Sequence, residues 1–323
     1  MTKFYTNVSR YGNNLLYRGY EDGQKIQKRI KYQPTLFVAT PKGTWKSIDG
    51  IKCAPVMMDS MRDAKEWIAT NKDTAGRQIF GNDRYIPAFI NDEFPGDIEF
   101  NRSQINVTSI DIEVASDEGF PEPGAADYPI ISICMKNNID NTYYVWGLDD
   151  YDVEKSYMTT NRVVYQKCDS ELQLMHAFIA HWSTPSHTPD VVTGWNVRFF
   201  DIPYIVNRCV KLLGEEPTKR LSPWGMVERQ NVRQMNRVQE AFELKGINTA
   251  DYMELFQKYT YTAQESYSLN HISSVILGEK KLSYEEYGNL HTLYQQDHQK
   301  FIDYNIKDVE LVERLEDKMG LIT

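Results

Sequence analysis

Val107-Thr108-Ser109-Ile110-Asp111-Ile112-Glu113-Val114 is a β-branched run with two carboxylates embedded in it. Apolar neighbours flank both acids, which reads as a central, buried strand. Side chains two apart on a strand share a face, so Asp111 and Glu113 point the same way. Two carboxylates held close repel one another. They stay ionised together only beside positive charge, typically a metal ion. A lone Asp-x-Glu is more often an exposed acidic pair, so the rest of the chain has to decide.

Downstream, residues 130–135 and 142–146 read as two further strands, with Asn137-Asn138-Ile139-Asp140 as a hairpin-like turn. Ser170 and Gln173 cap a helix whose Leu172, Met175, Ile179 and Trp182 line one face. Residues 191–193 form a short strand, and the chain turns through Gly194-Trp195-Asn196. A helix is expected over 200–213, with Pro203 in its first turn and Gly214 as its stop. Residues 228–247 read as a basic hairpin or extended loop, and helices follow from Leu269 toward Gly278 and over about 297–318. Strands in hairpins, then strands alternating with helices, indicate an α/β (α+β) class with a mixed sheet and helices on its faces.

Upstream, residues 1–105 read as a smaller, strand-rich module. Strands are expected over 4–9, 15–20, 36–39 and 85–90, with an amphipathic helix over 61–70 behind the Ser60/Asp63 capping box. Residues 91–96, with Asp, Pro and Gly, mark a boundary region.

Two more carboxylates stand where they could join the first pair. Asp201 opens a helix just after a strand, at the sheet edge where α/β proteins bind ligands, although taken alone it is better explained as a helix cap. Asp308 lies four residues after Tyr304 on the last helix, one turn above it. There Ile302, Ile306 and Val309 form one face, and Tyr304 and Asp308 another. Four carboxylates on a strand, a strand-to-helix turn and a helix can converge at one sheet end. Their oxygens suit Mg2+ or Mn2+. Two such ions about 3.5–4 Å apart can hydrolyse a phosphodiester.

The 323 residues allow about two domains. With 36 Lys and Arg against 45 Asp and Glu, the net charge of −9 argues against a general nucleic-acid coating protein. The average hides an asymmetry: residues 1–50 carry nine basic and three acidic side chains, and residues 205–240 a smaller basic excess. No run of 18 apolar residues occurs, and no membrane partner is expected. The four cysteines lie tens of residues apart, without Cys-x-x-Cys spacing, so neither a zinc site nor a disulfide framework is indicated.

Asp111-Ile112-Glu113, Gly194-Trp195-Asn196 with Phe200-Asp201-Ile202-Pro203-Tyr204, and Tyr304-Asn305-x-x-Asp308-Val309 resemble the three exonuclease motifs of family B DNA polymerases. Asp251-Tyr252-x-Glu254-Leu255, Ser266-Tyr267-Ser268-Leu269 and Gly278-Glu279-Lys280-Lys281-Leu282 match as well. Cys53-Ala54-Pro55 and the helix near Met61 look most like the T-even-type bacteriophage branch. The resemblance implies an amino-terminal domain over 1–105 and an RNase H-like 3′→5′ exonuclease domain over 106–323.

It further implies that Asp111 bridges two ions, that Glu113 and Asp308 hold one of them, and that Asp201 serves the other. Tyr304 would orient the water and Lys281 would sit near the scissile phosphate. Asn196 and Phe120 would contact the 3′-terminal nucleotide, and residues 229–237 would lie in a hairpin that separates primer from template. The expected partners are single-stranded or frayed primer 3′ ends and a polymerase portion, in the cytoplasm of an infected bacterium. The polymerase motifs of the family are absent, and the chain stops just past the third exonuclease motif. It therefore reads as part of a longer polymerase or as the amino-terminal subunit of a split one, and the Met1 start favours a natural chain. Two rival readings stand beside a proofreading exonuclease: a nucleic-acid-binding or polymerase-docking scaffold, motivated by the basic residues 1–50, and a ribonuclease on the same fold.

Overall fold

The computed structural model describes residues 2–72, 74, 77–81, 84–116, 119–158, 162–234 and 237–322. The chain divides into two compact units, Met1–Arg102 and Ser103–Thr323.

In the first unit, β1 (Lys3–Tyr11), β2 (Asn14–Glu21) and β3 (Gln24–Lys31) form an antiparallel meander. β4 (Thr35–Ala39), β5 (Trp45–Lys46) and β6 (Lys52–Met57) belong to a second sheet. α1 (Met61–Asn71) follows, with the Ser60 side chain accepting from the Asp63 amide as the capping box requires. β7 (Ile79–Phe80) joins the second sheet, and α2 (Tyr85–Glu93) closes the unit. The strand expected over 85–90 is thus a helix, and α2 also runs into the stretch read as a boundary. Its β-branched and aromatic residues suggested a strand. Tyr85 and Phe89, one helical turn apart, are both buried, and Pro87 is tolerated in the first turn. β3 escaped sequence reading because Lys, Arg and Gln dominate it and only Ile26 and Ile30 turn toward the core.

The second unit is built on a six-stranded sheet. Its strands are β8 (Val107–Val114), β9 (Ile130–Asn137), β10 (Thr142–Gly147), β11 (Arg162–Lys167), β12 (Val191–Gly194) and β15 (Asn248–Asp251). Their spatial order is β11-β10-β9-β8-β12-β15. β9 is antiparallel to both of its neighbours, and the other pairings are parallel, so the sheet is mixed as expected. α3 (Glu171–Trp182) and α4 (Asp201–Leu213) pack on one face around Ile110 and Ile112. α5 (Glu215–Thr218) leads to a hairpin of β13 (Val227–Gln234) and β14 (Arg237–Leu244), where the basic segment had been read. α6 (Tyr252–Tyr259), α7 (Leu269–Leu277), α8 (Leu290–Gln296) and α9 (His298–Met319) follow.

On the opposite face of the sheet, Phe301, Ile302, Ile306 and Val309 of α9 pack against Ile131, Tyr143 and Val145. With helices on both sides the central strands are buried twice over, and every residue of β9 is buried. Alternation along β8 then sends Ile110 and Ile112 toward α3 and α4, and Asp111 and Glu113 toward α9. One helix-face expectation fails: Leu172 is 47% exposed, because it precedes the turns of α3 that meet the sheet. There Leu174, Met175, Phe178, Ile179 and Trp182 are buried instead.

Near the end of α3, the His181 ring stacks on His187 with centroids 4.0 Å apart and packs on Tyr144 at 4.2 Å. Burial pushes His181 down to about 4, His187 adds to this, and Asp140 opposes it. The unfolded chain therefore takes up this proton near pH 6.5, while the folded chain resists until about pH 4. Stability from the neutral ring is intact above pH 6.5 and is lost as pH falls toward 4. In thermal melts from pH 7 to pH 4.5, His181→Phe is expected to flatten the decline in melting temperature. Identical slopes for both proteins would sink this.

Candidate active site

The C-terminal ends of the parallel strands β8, β12 and β15 share one edge of the sheet, the edge where open α/β sheets bind ligands. A pocket of about 690 Å³ opens there. All eight residues named from the sequence line it: Asp111, Glu113, Phe120, Asn196, Asp201, Lys281, Tyr304 and Asp308.

Asp111 and Glu113 arrive on β8, and Asp308 on α9. One ligand atom from each of the three lies within 4.8 Å of the others. Asp201 is outside that group and is not the helix cap, which is Phe200. Its Oδ1 accepts from the Ile112 amide at 3.1 Å, tying the start of α4 to β8 between the two acids. Tyr304 lies one turn before Asp308, and both are buried rather than on an exposed helix face. The Lys281 Nζ is ion-paired with Asp308 Oδ2, donates to the Tyr304 hydroxyl at 3.3 Å, and sits 5.2 Å from the centre of that ring. Tyr284 braces Tyr304 edge-on at 5.5 Å.

Phe120 is 78% exposed at the pocket wall, with its ring 4.8 Å from Phe200. Asn196 takes the left-handed conformation (φ +66°), which Asn tolerates better than most residues. The loop behind it is pinned by Asp251 Oδ2, which accepts from the Arg198 amide at 2.9 Å. Gly194 is required at the end of β12, since a Cβ there would lie 2.5 Å from the Ile110 carbonyl oxygen.

The electrostatics follow from crowding like charges in a buried place. Burial holds Asp111 well above the usual carboxylate range, reinforced by Asp308, Asp201 and Glu113. Glu113 is pushed up to about 8 by burial and then by Asp308. Asp201 rises to about 7 through burial, moderated by its backbone hydrogen bonds. Burial also raises Asp308, against the pull of Lys281. Burial works against charge on Lys281, but Asp308, Tyr304 and Asp111 outweigh it and keep the ammonium protonated.

The donor set fits a hard divalent cation. Its ligands are carboxylate oxygens, and Asp308 Oδ1 is buried with no hydrogen-bond partner among the described residues. Asp111, Glu113 and Asp308 could hold such an ion, with Asp201 nearby on the pocket wall.

Residues 83–272 match the family description DNA polymerase family B, exonuclease domain. The chain belongs to DNA polymerase family B. It is similar over its full length to the DNA-directed DNA polymerase of Escherichia phage RB69, at 32% identity over 346 residues, and to that of Enterobacteria phage T4, at 31% over 344. In each case it spans 38% of the relative's length. The DNA polymerase delta catalytic subunit of Dictyostelium discoideum is 26% identical over 226 residues, covering 67% of this chain and 20% of that protein. The family B match ends before Lys281, Tyr304 and Asp308, whereas the two phage polymerases cover them.

Two residues beside the carboxylate group have no role assigned from the sequence. Asn305 Nδ2 donates to Asp111 Oδ2 at 2.6 Å, and Ser132 Oγ donates to Asn305 Oδ1 at 2.7 Å. Ser132 did carry a signal, as a lone hydroxyl in the run Ile130-Ile131-Ser132-Ile133-Cys134-Met135 of a strand buried on both faces.

Proposed function

We propose that the chain is a proofreading 3′→5′ DNA exonuclease that uses two divalent cations, Mg2+ or Mn2+, to release deoxynucleoside monophosphates. The observation that carries this is the orphaned Asp308 oxygen inside a three-carboxylate group, beside Lys281 and Tyr304, in a family B chain. The mixed sheet between two helical layers supports an RNase H-like exonuclease domain over 106–323, with a family B amino-terminal domain over 1–105. The polymerase portion that extends a trimmed end belongs to the rest of a longer chain or to a separate subunit. The two phage relatives support placing the activity in the cytoplasm of an infected bacterium.

In this reading Asp111 would contribute to both cation sites, Glu113 and Asp308 to one of them, and Asp201 to the other. When bound, the cations lower the pKa of water and stabilise the departing oxygen. The Tyr304 hydroxyl orients the attacking water. The Lys281 ammonium offsets charge gathering on the phosphate. Water adds to phosphorus, the bond to the 3′ oxygen breaks, and that oxygen leaves with a proton. Phe120 stacks on the terminal base, with Phe200 behind it, and Asn196 meets the same nucleotide. Single-stranded or frayed ends are preferred, because a terminal base must leave its stack to reach the pocket.

The deciding assay is degradation of 3′-labelled single-stranded DNA with Mg2+, run beside metal-free and Asp201→Ala controls and a matched RNA oligomer. Cleavage of DNA that disappears in both controls supports the proposal. Intact DNA, metal-independent cleavage, or faster cleavage of RNA overturns it. Stacking by Phe120 contributes about 1–3 kcal/mol. Phe120→Ala is therefore expected to raise KM for single-stranded DNA roughly ten-fold at nearly constant kcat. An unchanged KM would remove Phe120 from the substrate path.

A further inference from the structure

We infer that Asn305 and Ser132 form a positioning relay that sets the Asp111 carboxylate for cation binding. The inference rests on the metal-site reading above. Both residues are fully buried, and neither lines the pocket, so neither can touch substrate. The Asn305 amide bridges Ser132 Oγ at 2.7 Å and Asp111 Oδ2 at 2.6 Å. The sense of the amide follows from chemistry. An ionised, cation-binding carboxylate only accepts, so the amide nitrogen faces Asp111, since the reverse would press two acceptor oxygens together. Ser132 must then donate to the amide oxygen, which locks that orientation from behind.

The relay joins rigid elements. Ser132 lies directly opposite Glu113 across the β8–β9 ladder, and Asn305 sits next to Tyr304 on α9. Oδ2 of Asp111 is thereby held, and with it the plane of the carboxylate that joins Glu113 and Asp308. A buried hydroxyl in an otherwise apolar stretch of β9 is costly unless paired, and among the described residues it pairs with this amide. Hydrogen-bond partners behind a metal ligand commonly account for 10–100-fold in metal affinity.

The test is Mn2+ binding to the full chain, followed by electron paramagnetic resonance, with thermal melts in parallel. Asn305→Leu, similar in volume but without a donor, is expected to weaken Mn2+ binding about 10–100-fold. Ser132→Ala should give a smaller loss in the same direction, and the double variant should be no worse than Asn305→Leu alone. Excess Mn2+ should restore kcat on single-stranded DNA with KM for DNA unchanged. Should Asn305→Leu not fold, Ser132→Ala carries the test by itself. Wild-type Mn2+ affinity in every variant that folds overturns the relay. An Asp111→Asn control separates the two ideas. If it loses affinity while the relay variants do not, only the relay falls. If it keeps affinity, or if the wild-type chain binds no Mn2+, the metal-site reading falls and takes the relay with it.

Discussion

Asp111→Ala is expected to lower Mg2+-dependent degradation of single-stranded DNA by at least about 10³-fold, the upper range for losing one preorganised charge-stabilising group. Asp111 stands at the centre of the acidic cluster. It shares ligand distance with Glu113 and Asp308, and one of its oxygens accepts from Asn305. Removing it takes a ligand from both proposed cations at once. Raising the metal concentration should not rescue the variant, because the missing ligand belongs to both proposed sites. Single-turnover hydrolysis of 3′-labelled DNA measures this directly. A variant within ten-fold of wild type would falsify the assignment. Stability should move the other way: the site repels itself when metal-free, so the variant should melt no lower than wild type in EDTA.

Lys281→Met should have the next largest effect, and it separates two roles of one ammonium. Lys281 is the sole Lys or Arg among the described residues lining the pocket. Its loss leaves the charge developing on phosphate without a counter-charge from the protein. A fall in kcat on the order of 10²–10³-fold follows. The same ammonium neutralises Asp308, which is 3% exposed. Without it the metal-free protein should lose roughly 1–3 kcal/mol, limited by the ease with which Asp308 takes up a proton. Mg2+ should then raise the melting temperature of the variant more than that of wild type. Equal Mg2+-induced shifts would show that Lys281 does not stand in for the cation.

The parts of the site that could be read from the sequence are those whose meaning is local. Asp111 and Glu113 share a face because strands alternate, and Tyr304 and Asp308 stack because helices turn. The apolar flanks of β8 gave away its two-sided burial. Asp201 resisted, because a carboxylate at a helix start has two local explanations. Only its bond to the Ile112 amide, 89 residues upstream, distinguishes them. Ser132 and Asn305 resisted for the same reason, being 173 residues apart and meaningful only together. In the fold, β3 was missed and α2 misread where composition pointed one way and packing another: a basic strand needs only one apolar flank, and an aromatic run can wind as a helix when its i and i+4 members meet the core.

The dependence of the carboxylate group on α9 has a consequence for how the chain is made. The Asn305–Asp111 bond spans 194 residues, and Asp308 follows later still. A ribosome therefore releases β8 long before it releases the helix that completes the acidic cluster. Closing so long a loop comes late in folding. A nascent or prematurely terminated chain that lacks α9 should hold a sheet edge with Asp111, Glu113 and Asp201 but without the ammonium-bound Asp308. Destructive chemistry on DNA would thus be armed by the final step of folding, and a chain cut short of Asp308 would be safe by construction.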